Sequence, residues 1–363
     1  MSTEKIPIYK PYLGENESKI VAECMQSTWI SSQGKFIQTF EENVKEYTGA
    51  NHAIAVSNGT VAIHLAMLAL GIGSGDEVIT TNFTYVASSN SILYVGATPV
   101  FVDINPLSWN LDPSLVEAKI SSKTKAILYT NVYGTPAEYS ALKRIADKKG
   151  LYLIEDAAES FGATYGHKMS GTLGDISTYS FFGNKTITTG EGGMVLTPHK
   201  ELAYKIGKLK NQGNSDTVRY YHDILGYNYR MTNIQAAIGV AQLGKIKEIL
   251  SLKNKLQQNY EDGLKDLVSF QKLPDNATSS YWITAILLSS VEEKEKVMKA
   301  LEESNVETRP FFTPIDELPF YDDVVDCPHS KDISKRGMNL PSFPALEWVH
   351  QEKIIEIIRN NIN

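Results

Sequence analysis

The chain has 363 residues, 42% of them hydrophobic and 21% charged, with 35 Lys and Arg against 42 Asp and Glu, for a formal charge of −7. Length and composition are those of an ordinary globular protein of about two domains. The acidic balance argues against a nucleic-acid backbone or an anionic membrane surface as partner. Two cysteines, Cys24 and Cys327, are too few and too far apart for a disulfide framework or a Cys-based zinc site, so no metal is expected.

The opening MSTEKIPIYKPYLG has no apolar signal-peptide core. The uncharged stretch 53–75 is interrupted by Ser57, Asn58, Gly59, Thr60 and His64, which leaves too short an apolar run to span a bilayer. A reduced, cytoplasmic protein is expected. In chain order, helical patterns at 15–27 and 36–48 lead to a strand at 53–57 and a small-residue helix at 60–70. Strands then follow at 78–80, 99–104, 126–132, 151–156, 176–182 and 193–197, with helices at 85–95 and 138–149. Strands that alternate with helical patterns predict a mostly parallel sheet covered on both faces. From about Met231 one long helical run reaches Leu264, followed by a strand at 281–288 and helices near 291–304 and 347–362. The expected organisation is an N-terminal arm and large α/β domain over 1–240 and a smaller α+β domain over 241–363.

Three segments carry chemistry. In SNGTVA (57–62), a Gly-Thr pair at a helix start offers backbone N–H groups and a hydroxyl to a phosphate; an ordinary helix cap uses the same residues. Asp156 ends the apolar run LYLIED, where a doubly wound sheet places ligands beyond the carboxyl ends of its strands, although an acidic helix cap has the same signature. In SFFGNKTITTGEGGMV (180–195) a single lysine, Lys185, follows an apolar strand and precedes a glycine-rich turn, with Ser180 and Asn184 beside it. A lysine packed against apolar walls loses proton affinity and becomes a nucleophile for a carbonyl; most loop lysines are simply solvated. Together, a phosphate cradle, a strand-end acid and a lysine are what pyridoxal phosphate (PLP) asks of a protein.

The whole chain resembles the DegT/DnrJ/EryC1/StrS aminotransferases. The resemblance lies in WISSQG (29–34), SNGTVA (57–62), GDEVITTNFTYVASSNSI (75–92), YLIEDAAESFGA (152–163), GDISTYSFFGNKTITTGEGGMV (174–195), YNYRMTNIQAAIGVAQL (227–243), ETRPFFTP (307–314) and MNLPSFP (338–344). It implies the PLP-dependent transferase fold type I of aspartate aminotransferase. It further implies that Lys185 bonds the cofactor and shuttles a proton, that Asp156 binds the pyridinium nitrogen, and that Glu159, where many relatives have Gln, approaches the ring's phenolic oxygen. Tyr85 would stack on the pyridine, and Gly59, Thr60 and Ser180 would hold the phosphate. Asn228 would reach the phosphate in a neighbouring subunit, which makes a homodimer the expected state.

Trp29, Ser32, Arg309 and Asp316 are the substrate-cleft candidates, Arg309 because a guanidinium fork suits a phosphate or carboxylate. Two departures from the family pattern bear on the substrate: Asp316 and Asn131 stand where many relatives have His. FFGNKTITTGEGG, RYYHDILGYNYRM and SYWIT are most similar to the branch that aminates GDP-4-keto-6-deoxy-mannose with glutamate as donor. Another nucleotide ketosugar, a small phosphorylated ketone such as dihydroxyacetone phosphate, or a regulator without turnover are the alternatives.

Overall fold

The computed structural model describes residues 5–321 and 325–362. Helices α1 (Glu15–Ser27) and α2 (Lys35–Thr48) precede β1 (His52–Val56), α3 (Gly59–Leu70), β2 (Glu77–Thr81), α4 (Ala87–Tyr94) and β3 (Thr98–Val102). The short α5 (Pro113–Val116), β4 (Thr124–Thr130), α6 (Tyr139–Lys149) and β5 (Tyr152–Asp156) follow, then the small strands β6 (Thr164–Tyr165) and β7 (Lys168–Met169). Next come β8 (Ile176–Ser180), β9 (Gly193–Thr197), α7 (Lys200–Lys210), α8 (Asn233–Gly244) and α9 (Ile246–Leu264). The remainder is β10 (Ser269–Phe270), β11 (Ala277–Thr278), β12 (Thr284–Leu287), α10 (Val291–Glu303), β13 (Arg309–Pro310), α11 (Pro328–Arg336), β14 (Gly337–Leu340) and α12 (Trp348–Asn361).

The main sheet has seven strands in the order β1-β9-β8-β5-β4-β2-β3. β9 is antiparallel to both its neighbours, so the other six run in one direction, as the alternating pattern predicts. Side chains alternate between faces: Leu128, Ile154 and Ile176 pack under α3 and α7, while Ile127, Tyr129 and Leu153 pack under α6. Covered on both faces, the strands read as near-continuous apolar runs. A four-stranded antiparallel sheet, β10-β12-β14-β13, is backed by Leu256, Tyr260 and Leu264 of α9, Val297 and Leu301 of α10, and Ile354 and Ile358 of α12. Between the two sheets lies an aromatic-rich apolar cluster that includes Phe83, Trp109, Tyr133, Trp282 and Phe311. It presses the small sheet against the carboxyl end of the large one.

The long helix expected from Met231 to Leu264 is two helices. Gly244, the poorest helix former after proline, ends α8, and Lys245 leaves helical geometry (φ −114°, ψ 16°). Its Nζ, turned aside by the break, meets Glu17 Oε1 of α1 at 2.7 Å. Strand β4 also stops short, at Thr130, because Tyr133 adopts the left-handed conformation at φ 55°, ψ 19°.

Candidate active site

Six parallel strands put their carboxyl ends on one edge, where the segments 57–60, 84–88, 156–159 and 180–185 converge on a cavity of 550 Å³. Gly59, Thr60, Tyr85, Asp156, Glu159, Ser180, Lys185 and Arg309 all line it. Sequence reasoning thus gathers residues from four separate segments and the small sheet into one space.

The cradle is built by α3. Asn58 caps the helix, its side chain accepting from Val61 N, which leaves the first backbone N–H groups facing the cavity. Gly59 is required by contact: a Cβ there would lie 2.7 Å from Ser180 Cβ and 3.1 Å from Ser180 Oγ. The start of α3 and the Ser180 hydroxyl therefore sit side by side on the cavity wall.

Asp156 ends β5 and is buried; Ser88 Oγ donates to its Oδ2 at 2.6 Å and Ala158 N to its Oδ1 at 3.1 Å. Burial pushes its carboxyl up, against the pull of those two donors and of Lys185. Glu159, one turn on, accepts from Tyr133 N at 2.7 Å and stands 3.9 Å from Lys185 Nζ. Burial raises it to about 7, opposed by Lys185 and the Tyr133 N–H. Lys185, with its side chain 12% exposed, has its ammonium disfavoured by desolvation, opposed by Glu159 and Asp156. Its Nζ also rests 3.9 Å from the Trp282 ring centroid.

Tyr85, 60% exposed, lines the cavity with Phe312, their rings 6.2 Å apart. Arg309 is exposed at the rim on β13. Glu191, Phe182, Thr84 and Asn184 also line the wall, and the buried Thr84 Oγ1 and Asn184 Oδ1 have no hydrogen-bond partner among the described residues. In a cavity wall such atoms are open to a ligand. The cradle, the orphaned polar atoms, the strand-end acid and the lysine fit PLP.

The other expected residues lie elsewhere. Trp29 and Ser32 sit on the turn between α1 and α2, outside the cavity wall; the Trp29 carbonyl accepts from Asn233 Nδ2 at 2.7 Å. Asn228 is exposed away from this cavity, its Oδ1 held by Arg230 Nε at 3.3 Å and Nη2 at 3.1 Å. Asp316 does not face the cavity. Its carboxylate accepts from Asn82 Nδ2 at 2.8 Å, Lys331 Nζ at 3.0 Å and Val325 N at 3.0 Å. Burial works against its charge, yet these donors hold its carboxyl below the ordinary range. Asn131 is equally internal: its Nδ2 donates to Glu155 Oε1 at 2.9 Å and to Ser160 and Ser170 Oγ, both at 3.0 Å. Glu155 and Asp156 are neighbours on one strand and point to opposite faces, so Asn131 serves the side away from the cavity. Sequence reasoning missed Ser88 and Trp282, whose only signals were their places inside two family-like blocks.

The DegT/DnrJ/EryC1/StrS aminotransferase family matches residues 11–359. The chain belongs to that family. It is 46% identical to GDP-perosamine synthase of Escherichia coli O157:H7, over 97% of this chain and 96% of that one. It is 45% identical to GDP-perosamine synthase of Vibrio cholerae, over 99% of each. The PLP-form of Streptococcus pneumoniae Spr1654 superposes with a TM-score of 0.93 at 25% identity, covering 99% of this chain and 100% of that one. The protein is thus a PLP-dependent aminotransferase with the expected α/β fold. Among the described residues no helix is long and apolar enough to cross a membrane.

Proposed function

We propose that this aminotransferase moves an amino group from glutamate to the keto carbon of GDP-4-keto-6-deoxy-mannose, giving GDP-perosamine for a surface polysaccharide. The observation that carries the reading is near-full-length identity of 43–46% to three GDP-perosamine synthases. That Asn131 and Asp316 are both engaged away from the cavity supports the same acceptor, since neither departure then alters its wall. We propose a cytoplasmic homodimer in which Asn228 completes the neighbour's cradle.

When bound, PLP supplies the carbonyl that receives the amino group and the ring that takes up the electron pair. The chain's residues then divide the work. The start of α3, with Thr60 and Ser180, donates to the phosphate. Asp156 accepts from the ring nitrogen and keeps it protonated, and Ser88 holds the carboxylate in line. Glu159, with an affinity for protons near neutrality, shares a proton with the ring's phenolic oxygen. Lys185 carries the proton between the substrate carbon and the cofactor, a transfer suited to an amine whose proton affinity burial has lowered. Arg309, unpaired among the described residues at the rim, takes the donor carboxylate or the acceptor's diphosphate in turn.

The test is product mass after incubating PLP-loaded protein with glutamate and GDP-, dTDP- and UDP-linked 4-keto-6-deoxyhexoses or dihydroxyacetone phosphate. An amine from the GDP sugar alone is expected. Turnover of only the small ketone, or of only another nucleotide sugar, overturns the acceptor while keeping the chemistry.

A further inference from the structure

The Lys185 amine has an aromatic ring face for a neighbour as well as carboxylates. Glu159 Oε1 is 3.9 Å from Nζ, beyond hydrogen-bond reach. The face of Trp282 is 3.9 Å from the same nitrogen, measured to the ring centroid. The indole N–H of Trp282 donates to the Asn184 carbonyl at 2.6 Å, and Tyr9 Oη donates to the Lys185 carbonyl at 2.7 Å. Lys185 N closes a turn onto the Phe182 carbonyl at 2.9 Å. The peptide groups on both sides of Lys185 are thereby fixed from outside their own loop. Trp282 is itself held firmly. It is 7% exposed, its ring stacks on Tyr133 (6.4 Å, 23°), and Tyr281 before it takes a left-handed turn at φ 45° with its N–H on Ser279 Oγ. Backbone strain of this kind persists where the surroundings over-determine it, and it clusters at functional sites.

We infer that Trp282 is a positioning residue for Lys185: its ring face seats the ε-ammonium whenever the amine is free, and its N–H fixes the Asn184 carbonyl that aims the side chain. Transamination releases and recaptures the Lys185 amine in every cycle, and between those events Nζ must hold a proton and then give it up. An ion pair at hydrogen-bond distance would tie the N–H vectors to one acceptor. A π face attracts the cation without fixing them, so the proton stays transferable while the nitrogen keeps its place. The seat also works against the desolvation that lowers the proton affinity of Lys185.

The inference rests on Lys185 as the residue that bonds PLP, which borohydride reduction and peptide mass test separately. Absence of the cofactor from the Lys185 peptide would sink that reading and the inference with it, whereas a labelled Lys185 peptide with an unmoved Trp282 profile would sink the inference alone. The measurement for Trp282 is the rate at which PLP reloads the stripped full-length protein, followed by absorbance against pH, since only the neutral amine attacks a carbonyl. In Trp282→Leu the proton affinity of Lys185 falls about tenfold, so the reloading profile moves to lower pH. Trp282→Phe, which keeps a ring face, restores it. The pH profile of the single-turnover reaction of the loaded enzyme with glutamate moves in the same direction.

If Trp282→Leu fails to fold, graded fluorotryptophan labelling replaces it. The chain has four tryptophans, and added fluorine weakens the ring's negative face without reshaping it. The profile then steps downward with fluorine number in the wild type and stays still in the Trp282→Phe background. Coincident profiles across the fluorinated series, or a shift of equal size in the Trp282→Phe background, overturn the inference.

Discussion

Lys253 offers a quantitative test of how this fold handles a buried charge. It lies on α9, is 1% exposed, and its Nζ donates to the Ser342 carbonyl at 2.8 Å; its nearest π surface is the Tyr9 ring, at 5.8 Å. Burial lowers its pKa from 10.5 to about 7. The folded state therefore holds fewer protons than the unfolded chain between pH 7 and 10.5, and the stability contributed by this residue rises with pH across that window. It is fully present above 10.5 and is lost as pH falls through 7. At about 1.4 kcal/mol per pH unit the loss is about 4 kcal/mol at pH 7 and under about 1 kcal/mol at pH 10. Lys253→Met removes that loss and leaves the Ser342 carbonyl without its donor, which costs about 1–3 kcal/mol. The net expectation is a gain of about 2 kcal/mol at pH 7, or about 3 °C in melting temperature for a chain this long. At pH 10 the gain vanishes or changes sign. The assay is paired melting of wild type and variant at matched protein and PLP concentration, read as the difference between them so that other titrating groups cancel. A variant less stable than wild type at pH 7, or equally stabilised at both pH values, would refute the reasoning.

Three further expectations follow from particular contacts. Ser88→Ala leaves Asp156 without its 2.6 Å donor; a loss of about 1.5–3 kcal/mol in a hydrogen bond to a charged group should appear as a tenfold or greater fall in the glutamate half-reaction, and an unchanged rate counts against the Ser88–Asp156 pairing. Gly59→Ala drives a methyl to 2.7 Å from Ser180 Cβ, so PLP affinity by equilibrium dialysis should drop while the fold persists. Mixing Lys185→Ala with Asn228→Ala chains should restore about a quarter of wild-type activity, because half of randomly assorted dimers carry one intact shared site; no recovery after verified subunit exchange rules out sharing.

Much of the site could be read from local sequence because its parts sit where a parallel sheet must put them. Asp156 and Ser180 end β5 and β8, and Gly59 and Thr60 start the helix after β1. The reading weakened wherever the deciding contact is distant in the chain. Ser88 lies 68 residues from Asp156, and Trp282 lies 98 residues from the Asn184 carbonyl it holds. No window of periodicity sees either. The two imidazole replacements looked like changes to the substrate wall, but each side chain has a full set of internal partners in this fold. The division between α8 and α9 escaped for a different reason: one glycine inside a helical pattern is usually tolerated, and here the chain turns at Gly244.

The two outside grips on the Lys185 loop come from opposite parts of the chain. Tyr9 precedes the whole of the large sheet, whereas Trp282 comes nearly a hundred residues after Lys185 itself. A chain cut behind Tyr9 or before Trp282 would keep the sequence of all seven strands of the large sheet and Lys185 itself, but would lose one of the two hydrogen bonds that hold the peptides flanking the lysine. Cofactor capture therefore depends on both distant pieces having docked, and a proteolytic nick behind Tyr9 should show in PLP uptake before it shows in the fold.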